Sequence, residues 1–403
     1  MRYDARGVRR PLLTGGDPAE DRMNALEAAR IRTDALFNLL DPAALYQRPV
    51  AERHRLIFYL GHVEAFDWNL ISRHALDKPS FHPSFDQLFA FGIDPEPGGA
   101  PADRPTDWPS EREVREYGAR VRREIDAAAD RIPDALLNVA IEHRLMHAET
   151  LAYLFHNLPY EAKRGPAPFA GKPHRIENTM IQIPAGTAVL GRPRNDGFGW
   201  DNEFDRHEVP VPAFRISRFK VTNGEYLEYV RAGAPAPHFW VERDGCWFLR
   251  AMFGEIPLPL DWPVYVTHQE ASRYAKWRNA ALPSEAQFHR AASGAVPVNA
   301  DFERWDPVRV DAGPPSRYGV SQMIGNGWEW TSTVFGPFAG FRPFPFYPGY
   351  SADFFDGKHF VLKGGSPRTA RRMLRESFRN WFRPDYPHVY AGFRLVDSLS
   401  EAS

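Results

Sequence analysis

The stretch Glu142–Glu149 reads EHRLMHAE and places His143 and His147 four residues apart inside an apolar, Ala- and Leu-rich run. On an α-helix this spacing presents both imidazoles on one face. A second apolar run, Phe58–Trp68 (FYLGHVEAFDW), is interrupted by His62. Three neutral imidazoles on two helices predict a site for a divalent transition metal with open coordination positions. Histidines at this spacing also occur on surfaces and as hydrogen-bonded core residues, so the spacing alone leaves that alternative open.

Glu149 is the third chemically distinctive residue of this stretch. It follows His147 by two positions, roughly 200° around a helix, so we expect it not to bind the same ion. Its expected role is to support a metal ligand from outside the coordination sphere or to anchor the helix.

Length and composition limit the classes of protein that this chain can represent. Its 403 residues are enough for two domains, and its net charge of −1 lacks the basic surface of a nucleic-acid or membrane-surface binder. Small polar or zwitterionic molecules are the expected partners.

The only cysteine, Cys246, excludes an intramolecular disulfide and a cysteine-based metal site, and we expect it to be a small, partly buried residue. Met1–Pro18 lacks the apolar core of a signal peptide, and no apolar run approaches the ~20 residues of a membrane span, so a soluble cytoplasmic protein is expected.

The first part of the chain has helical periodicity. Four long helices are predicted, and they favour an antiparallel four-helix bundle: Asp21–Leu40, Ala51–Ala75, Glu111–Ile132 and Pro133–Asn157. The connection Asp77–Pro109 is rich in Pro, Phe and Gly, and we expect a functional loop that packs across one end of the bundle. Metal sites in such bundles are built from inward-facing side chains of neighbouring helices.

After the bundle the character of the sequence changes. We predict three segments: a four-helix bundle with the metal ligands (residues 1–160), a Pro- and Gly-rich linker (residues 161–178) and an α+β domain (residues 179–403). In the last of these, short apolar stretches predict strands, and only two helices are expected. The strands are predicted near Met180–Gly186 and Glu208–Phe214, and the helices near Asn223–Arg231 and Thr267–Asn279.

Eight ordered motifs in this last segment resemble the formylglycine-generating-enzyme/sulfatase-modifying-factor domain, which has a C-type-lectin-like fold. They are Ile183–Gly186 (IPAG), Asp201–Glu203 (DNE), Val221–Tyr226 (VTNGEY), Leu282–Phe288 (LPSEAQF), Gly325–Thr331 (GNGWEWT), Lys363–Ser366 (KGGS), Arg379–Trp381 (RNW) and Gly392–Arg394 (GFR). Formylglycine-generating enzymes depend on a pair of cysteines. The single cysteine of this chain therefore excludes that activity.

Together with the H-x3-H-x-E pattern of a DinB-like bundle, these motifs make nearly the whole chain similar to the EgtB-like family of ergothioneine-pathway sulfoxide synthases. The family includes selenoneine synthases of the SenA type and ovothiol enzymes. The resemblance implies a mononuclear non-haem iron(II), held at the domain interface by the residues that match the family's ligands, His62, His143 and His147. It also implies O2 as co-substrate and formation of a bond between sulfur or selenium and imidazole C2 of hercynine. Three neutral ligands would leave the ion its full positive charge and room for an anionic sulfur or selenium atom, an imidazole nitrogen and O2.

The segment Arg379–Tyr386 contains the candidate residues for substrate binding. Trp381 and Phe382 are expected to attract the trimethylammonium group of hercynine by cation–π interaction, although either could be an ordinary core aromatic. The resemblance implies that Asn380 hydrogen-bonds hercynine, with a turn-capping role as the alternative, and Arg383 is assigned to the same substrate site. A tyrosine that donates a proton or hydrogen atom is also implied. The candidates for it are Tyr347 and Tyr350, either of which could instead be a packing residue.

Two departures from the family pattern bear on the sulfur or selenium donor. Met146 stands where mycobacterial-type enzymes have a substrate-binding glutamine, and Phe382 stands where they have an aspartate. Without that carboxylate the ammonium group of γ-glutamylcysteine loses a charge-assisted contact, so this donor is not expected. Together with Phe89–Pro95 (FAFGIDP), the pattern resembles SenA-type enzymes and predicts a selenosugar donor. Three alternatives remain: an EgtB-type enzyme that uses cysteine or another thiol, a zinc-dependent DinB-type thiol transferase, and a lectin-like module that binds a ligand without catalysis.

Overall fold

The computed structural model describes residues 18–92, 102–169, 171 and 174–398. The predicted N-terminal segment up to residue 17 and the FAFGIDP motif from Ile93 onward lie outside these residues. The chain divides into two compact units. The first consists of Met1–Asn38 and Ala51–Arg144, and the second of Leu39–Val50 and Leu145–Ser403. We describe each unit by itself.

The first unit is helical, as predicted. Its long helices begin and end inside the predicted ranges or within three residues of them, and a short helix lies between the second and third of them. The helices are α1 (Pro18–Phe37), α2 (Leu56–Ile71), α3 (Pro83–Phe91), α4 (Glu111–Asp126) and α5 (Asp134–His156), the last of which continues into the second unit. The start of α4 is determined locally: the backbone N–H of Glu113 donates to Ser110 Oγ, and its carboxylate accepts from the Ser110 N–H, which is a capping box.

The connection Asp77–Pro109 was predicted as a loop, and over α3 that prediction is wrong. Proline stands at the first position of α3, and His82 Nδ1 accepts the N–H of Phe85 at 3.3 Å, so the helix start is capped. Phe89 is fully buried, and its ring lies 6.1 Å from that of Tyr117 on α4. Aromatic packing against α2 and α4 therefore favours a helix that local periodicity alone did not reveal.

The second unit is built from short strands and small helices. Within its described residues the strands are β1 (Met180–Ile183), β2 (Gly186–Leu190), β3 (His207–Val211), β4 (Phe214–Ser217), β5 (Trp240–Arg243), β6 (Cys246–Ala251), β7 (Gly254–Pro257), β8 (Trp328–Val334), β9 (Phe360–Lys363), β10 (Asn380–Phe382), β11 (Ala391–Gly392) and β12 (Val396–Ser398). They form four small sheets in the orders β1-β4-β12, β2-β3, β5-β6-β7 and β10-β9-β8-β11. All neighbours are antiparallel except β8 and β11. The predicted strand Glu208–Phe214 is divided between β3 and β4.

The hairpin between β5 and β6 shows how local sequence determines these short strands. Arg243 pairs with Cys246, and the two residues between them, Asp244 and Gly245, have φ angles of 51° and 73°. Asp-Gly with positive φ at both positions is the preferred two-residue turn of a twisted hairpin. Cys246 directly after this turn is exposed, so the prediction of a partly buried cysteine is wrong.

Four helices accompany these strands, where two were predicted. They are α6 (Asn223–Arg231), α7 (His268–Trp277), α8 (Glu285–Ala291) and α9 (Gly349–Ala352). The unpredicted α8 begins at a capping box between Ser284 and Gln287 and buries Phe288 in a core with Ile183, Phe214 and Met323. The C-terminal domain thus has the predicted α+β, C-type-lectin-like class with more helix than expected. Among the described residues, no helix combines the length and the apolar character that are needed to cross a membrane.

Candidate metal centre and the aromatic site beside it

His62, His143 and His147 lie close together. Each offers one ring nitrogen, and these nitrogens are all within 4.8 Å of one another. His62 is on α2, and the other two histidines lie one turn apart on α5. The boundary between the two units also falls on α5, between Arg144 and Leu145. Among the residues that the structure describes, this is the only group of three or more His, Cys, Asp or Glu side chains with such geometry.

The protonation of His62 is determined by its surroundings. Its Nδ1 lies 2.6 Å from the carbonyl oxygen of Phe89 on α3, so Nδ1–H donates and Nε2 keeps its lone pair. The ring stacks on Phe58 at a centroid distance of 4.8 Å. Burial lowers the pKa of His62 to about 4 and outweighs the opposite effect of the hydrogen bond to Phe89. His62 is therefore neutral at pH 7, and its lone pair is on Nε2, the arrangement that a metal-binding imidazole requires.

His143 is held in a similar way by an aromatic ring. Its imidazole stacks on Phe66 with a centroid distance of 3.4 Å and an interplanar angle of 10°. Phe66 is one turn after His62 on α2, so one helix supplies both a candidate ligand and the ring that orients another. Three imidazole donors without a carboxylate fit a divalent Fe, Zn, Cu or Ni ion, and the residues present therefore fit the implied metal.

A buried ionic cluster lies beside this site in the first unit. Arg144, between the two α5 histidines, is fully buried and donates to Glu64 at 3.0 Å and to Asp67 at 2.6 Å, both on α2. Arg122 on α4 donates to the other side of Glu64 at 2.6 Å. Burial alone raises the pKa of Glu64, but Arg144 and Arg122 outweigh it and lower this pKa to about 2. The cluster links three helices by charge-assisted hydrogen bonds and so restricts the rotation of α5.

Glu149 contacts the lectin-like part of the second unit. Its carboxylate accepts hydrogen bonds from Trp328 Nε1 at 2.8 Å, Ser366 Oγ at 2.5 Å and Thr369 Oγ1 at 2.7 Å. Burial raises the pKa of Glu149, and the three donors oppose this shift. Glu149 is absent from the triad and anchors its helix, as the sequence led us to expect.

Three of the predicted substrate or catalytic residues lie in contact. Tyr350, on α9, places its hydroxyl 3.4 Å from the sulfur of Met146, the residue before His147. The Tyr350 and Trp381 rings approach edge to face at 5.3 Å. Tyr350 thus contacts both Trp381 and Met146.

The other predicted residues are placed differently. Tyr347 lies 5.5 Å from the Tyr350 ring, and burial raises its pKa to about 12. Phe382 alternates with Trp381 along β10 and stacks on Tyr386 at 5.1 Å instead. The side-chain carbonyl of Asn380 accepts the N–H of Trp381 at 2.9 Å, and Arg383 is exposed.

The sequence did not identify the rings that complete this aromatic site. Trp200 stacks on Tyr350 at 3.8 Å, and Phe335 stacks on Trp381 at 4.2 Å with an angle of 7°. Phe354 lies 5.5 Å from the Trp381 ring. Trp200 directly precedes the DNE motif, and this was the one signal that could have singled it out.

Comparisons with known proteins agree with this architecture. Residues 167–399 match the family described as sulfatase-modifying factor enzyme 1-like domain, and residues 25–158 match the DinB superfamily. Hercynine oxygenase of Mycolicibacterium smegmatis is 33% identical over 70% of this chain and 77% of that protein. Ergothioneine biosynthesis protein 1 of Schizosaccharomyces pombe is 29% identical over 89% of this chain, but the match spans 53% of that protein. The chain thus spans about half the length of this relative. A solved structure, PvdO from Pseudomonas aeruginosa, aligns with 55% of this chain and 94% of its own with a TM-score of 0.41 and 21% identity.

Proposed function

Because the chain belongs to the EgtB-like family, in which a DinB-type helical domain precedes a sulfatase-modifying-factor domain, we propose that it is an O2-dependent iron(II) enzyme acting on hercynine. The proposed reaction joins selenium from a selenosugar to imidazole C2 of hercynine. The observation that carries this proposal is the convergence of the ring nitrogens of His62, His143 and His147 within 4.8 Å.

The histidines would hold the metal, and when bound it would supply an electron source for O2 and open positions for the substrates. The chain's own contribution is orientation. Phe89 and Phe58 hold the ring of His62, Phe66 holds that of His143, and Glu149 holds the helix that carries His147. Such fixed geometry lowers the entropic cost of bringing the reactants together.

The aromatic site supports recognition of a quaternary ammonium group. The centroids of the Trp381 and Tyr350 rings lie 5.3 Å apart, and a desolvated cation on an aromatic face gains about 2 kcal/mol. The Tyr350 hydroxyl, beside the Met146 sulfur, is the proposed proton donor. Burial raises the pKa of Tyr347 to about 12, above the ordinary value of a tyrosine, which makes it a poorer proton donor than an ordinary tyrosine.

The apolar character of two positions supports a donor without an ammonium group. Phe382 stacks on Tyr386, and Met146 contacts the Tyr350 hydroxyl, so neither offers a charged partner. A selenosugar requires none, whereas the ammonium group of γ-glutamylcysteine would be desolvated without compensation.

Mass analysis of reaction products tests the proposal directly. The purified chain, stripped of metal and loaded with iron(II), is incubated in air with hercynine and, separately, a selenosugar, cysteine or γ-glutamylcysteine. We expect a hercynine adduct with selenium at C2 only with the selenosugar. An adduct only with a thiol would overturn the selenium assignment and leave the hercynine assignment intact.

Variants and metal substitution test the chemistry. His143→Ala should lose stoichiometric iron and turnover together, whereas the matched control His174→Ala, at an exposed histidine, should keep both. Turnover with zinc in place of iron, unaffected by removal of O2, would refute the oxidative reaction and favour the zinc-dependent thiol transferase.

A further inference from the structure

A cavity of about 20 Å³ lies within the second unit. Its charged and polar lining consists chiefly of Arg250, Arg368, Asp306 and His156, and Tyr265 and Trp305 contribute aromatic walls. None of these residues belongs to the histidine triad or to the aromatic site of Tyr350 and Trp381.

Arg368 is the unusual member of this lining. Its side chain is fully buried, and the residue is 2% exposed. The guanidinium makes no hydrogen bond or ion pair with any residue that the structure describes, and its Nε is buried without an acceptor. Its central carbon lies 5.0 Å from the Trp305 ring and 5.1 Å from the Tyr390 ring.

The two rings only partly compensate for the burial of this charge. A cation–π contact offsets only part of the free energy that it costs to remove a guanidinium from water. Asp306 and Glu149 are near enough for their charges to interact with that of Arg368, but neither accepts a hydrogen bond from it: Asp306 Oδ1 accepts the N–H of Met252 at 3.3 Å, and Glu149 accepts three hydrogen bonds from other residues. Arg368 therefore needs an acceptor that the described side chains do not supply.

The charges of the lining residues indicate whether that acceptor is negatively charged. Arg250 and Arg368 provide two positive charges, and Asp306 is the one carboxylate among the lining residues. Arg250 donates to the carbonyl of Leu158 at 2.8 Å and forms no ion pair with the described residues. His156 adds no charge, because burial lowers its pKa well below the ordinary value. The lining is thus net positive even when Asp306 is ionised.

The size of the cavity restricts the ligand further. A cavity needs a volume of at least about 10–15 Å³ to hold a water molecule. This cavity, with about 20 Å³, therefore has room for one water molecule or one ion of similar size, and none for an organic substrate. We propose that it binds one small inorganic anion of halide size, held by the guanidinium of Arg368. This site is independent of the proposed function.

Its position gives the anion a structural consequence. Arg368 lies between Ser366 and Thr369, the two residues whose hydroxyls hold Glu149. An anion on Arg368 would stabilise this turn and hence the anchoring of α5. Binding to the folded state alone raises the melting temperature as the anion concentration rises.

Bromide serves as the probe, because its anomalous scattering distinguishes it from water. Crystals of the full chain soaked in sodium bromide should show an anomalous peak within hydrogen-bond distance of Arg368. In solution, exchange of gluconate for bromide or chloride at constant ionic strength should raise the melting temperature by about 2–4 °C.

Two variants provide the comparison. Arg368→Met, which keeps an unbranched chain between the two rings, should lose both the peak and the halide-dependent shift. The control Arg304→Met, at an exposed arginine beside Trp305, should keep both. Density for water without an anomalous signal, or an equal halide shift in Arg368→Met and the unmodified chain, would overturn the proposal. If Arg368→Met does not fold, the diffraction measurement on the unmodified chain decides.

Discussion

Replacement of Glu149 by alanine should weaken both the fold of the second unit and metal binding at the triad. The change removes the acceptor of three buried hydrogen bonds, from Trp328, Ser366 and Thr369. It also removes the link between the lectin-like part of this unit and the helix that carries His147, two residues earlier.

The loss of stability in Glu149→Ala can be estimated from the three donors that lose their acceptor. Each buried donor that loses its acceptor costs about 1–3 kcal/mol. Removal of the buried carboxylate also removes its own desolvation penalty, which offsets part of that cost. The free energy of unfolding should therefore fall by about 3–5 kcal/mol. This corresponds to a fall of about 6–20 °C in the melting temperature of a body of this size. Loss of support for a metal ligand should weaken metal affinity about 10–100-fold.

Calorimetry and metal titration against a competing chelator measure the two effects. Glu149→Gln keeps an acceptor for Trp328 and Ser366 and offers its amide to the Thr369 hydroxyl, so it should recover most of the stability and of the metal affinity. Glu161→Ala, at an exposed glutamate just after α5, is the control for loss of a carboxylate alone.

The reasoning fails if Glu149→Ala melts within about 2 °C of the unmodified chain, because the three hydrogen bonds would then contribute less than 1 kcal/mol. A second failure would be a loss of stability with unchanged metal affinity. Glu149 would then hold the fold together without positioning His147.

Three further predictions concern other parts of the molecule. Gly61→Ala should destabilise the first unit by about 1–2 kcal/mol in calorimetry and weaken metal binding, because its Cβ would lie 2.4 Å from the Phe89 ring, whose backbone holds His62. Burial raises the pKa of Asp201 from 3.8 to about 6, so the folded state retains a proton that the unfolded state has lost. Stability should therefore fall by about 1–3 kcal/mol as pH rises from about 4 to about 6 in urea unfolding, and Asp201→Asn should abolish this dependence. Trp381→Leu should raise the KM for hercynine about tenfold or more in steady-state kinetics, and an unchanged KM would contradict a role in ammonium binding.

Those features that depend on residues close together in the chain could be predicted from the sequence. The helical periodicity before residue 157 predicts the long helices of the first unit, because one apolar face must be buried whatever it packs against. The spacing of His143 and His147 determines that their rings share a helix face, and the two-residue offset of Glu149 determines that it points elsewhere. The α+β class of the second part follows from its short apolar stretches, turn residues and ordered motifs.

Only the tertiary structure decided which distant residues meet. The order of residues along the chain does not indicate that Phe89 provides the acceptor for Nδ1 of His62, or that Tyr350 rather than Tyr347 contacts Met146. The sequence assigned both Trp381 and Phe382 to ammonium binding, yet alternation along β10 gives them different ring partners. The physical reason is that periodicity and spacing determine the direction of a side chain relative to its own helix or strand. Its neighbours depend on how separate helices and sheets pack, and that depends on the shape and burial of the whole core.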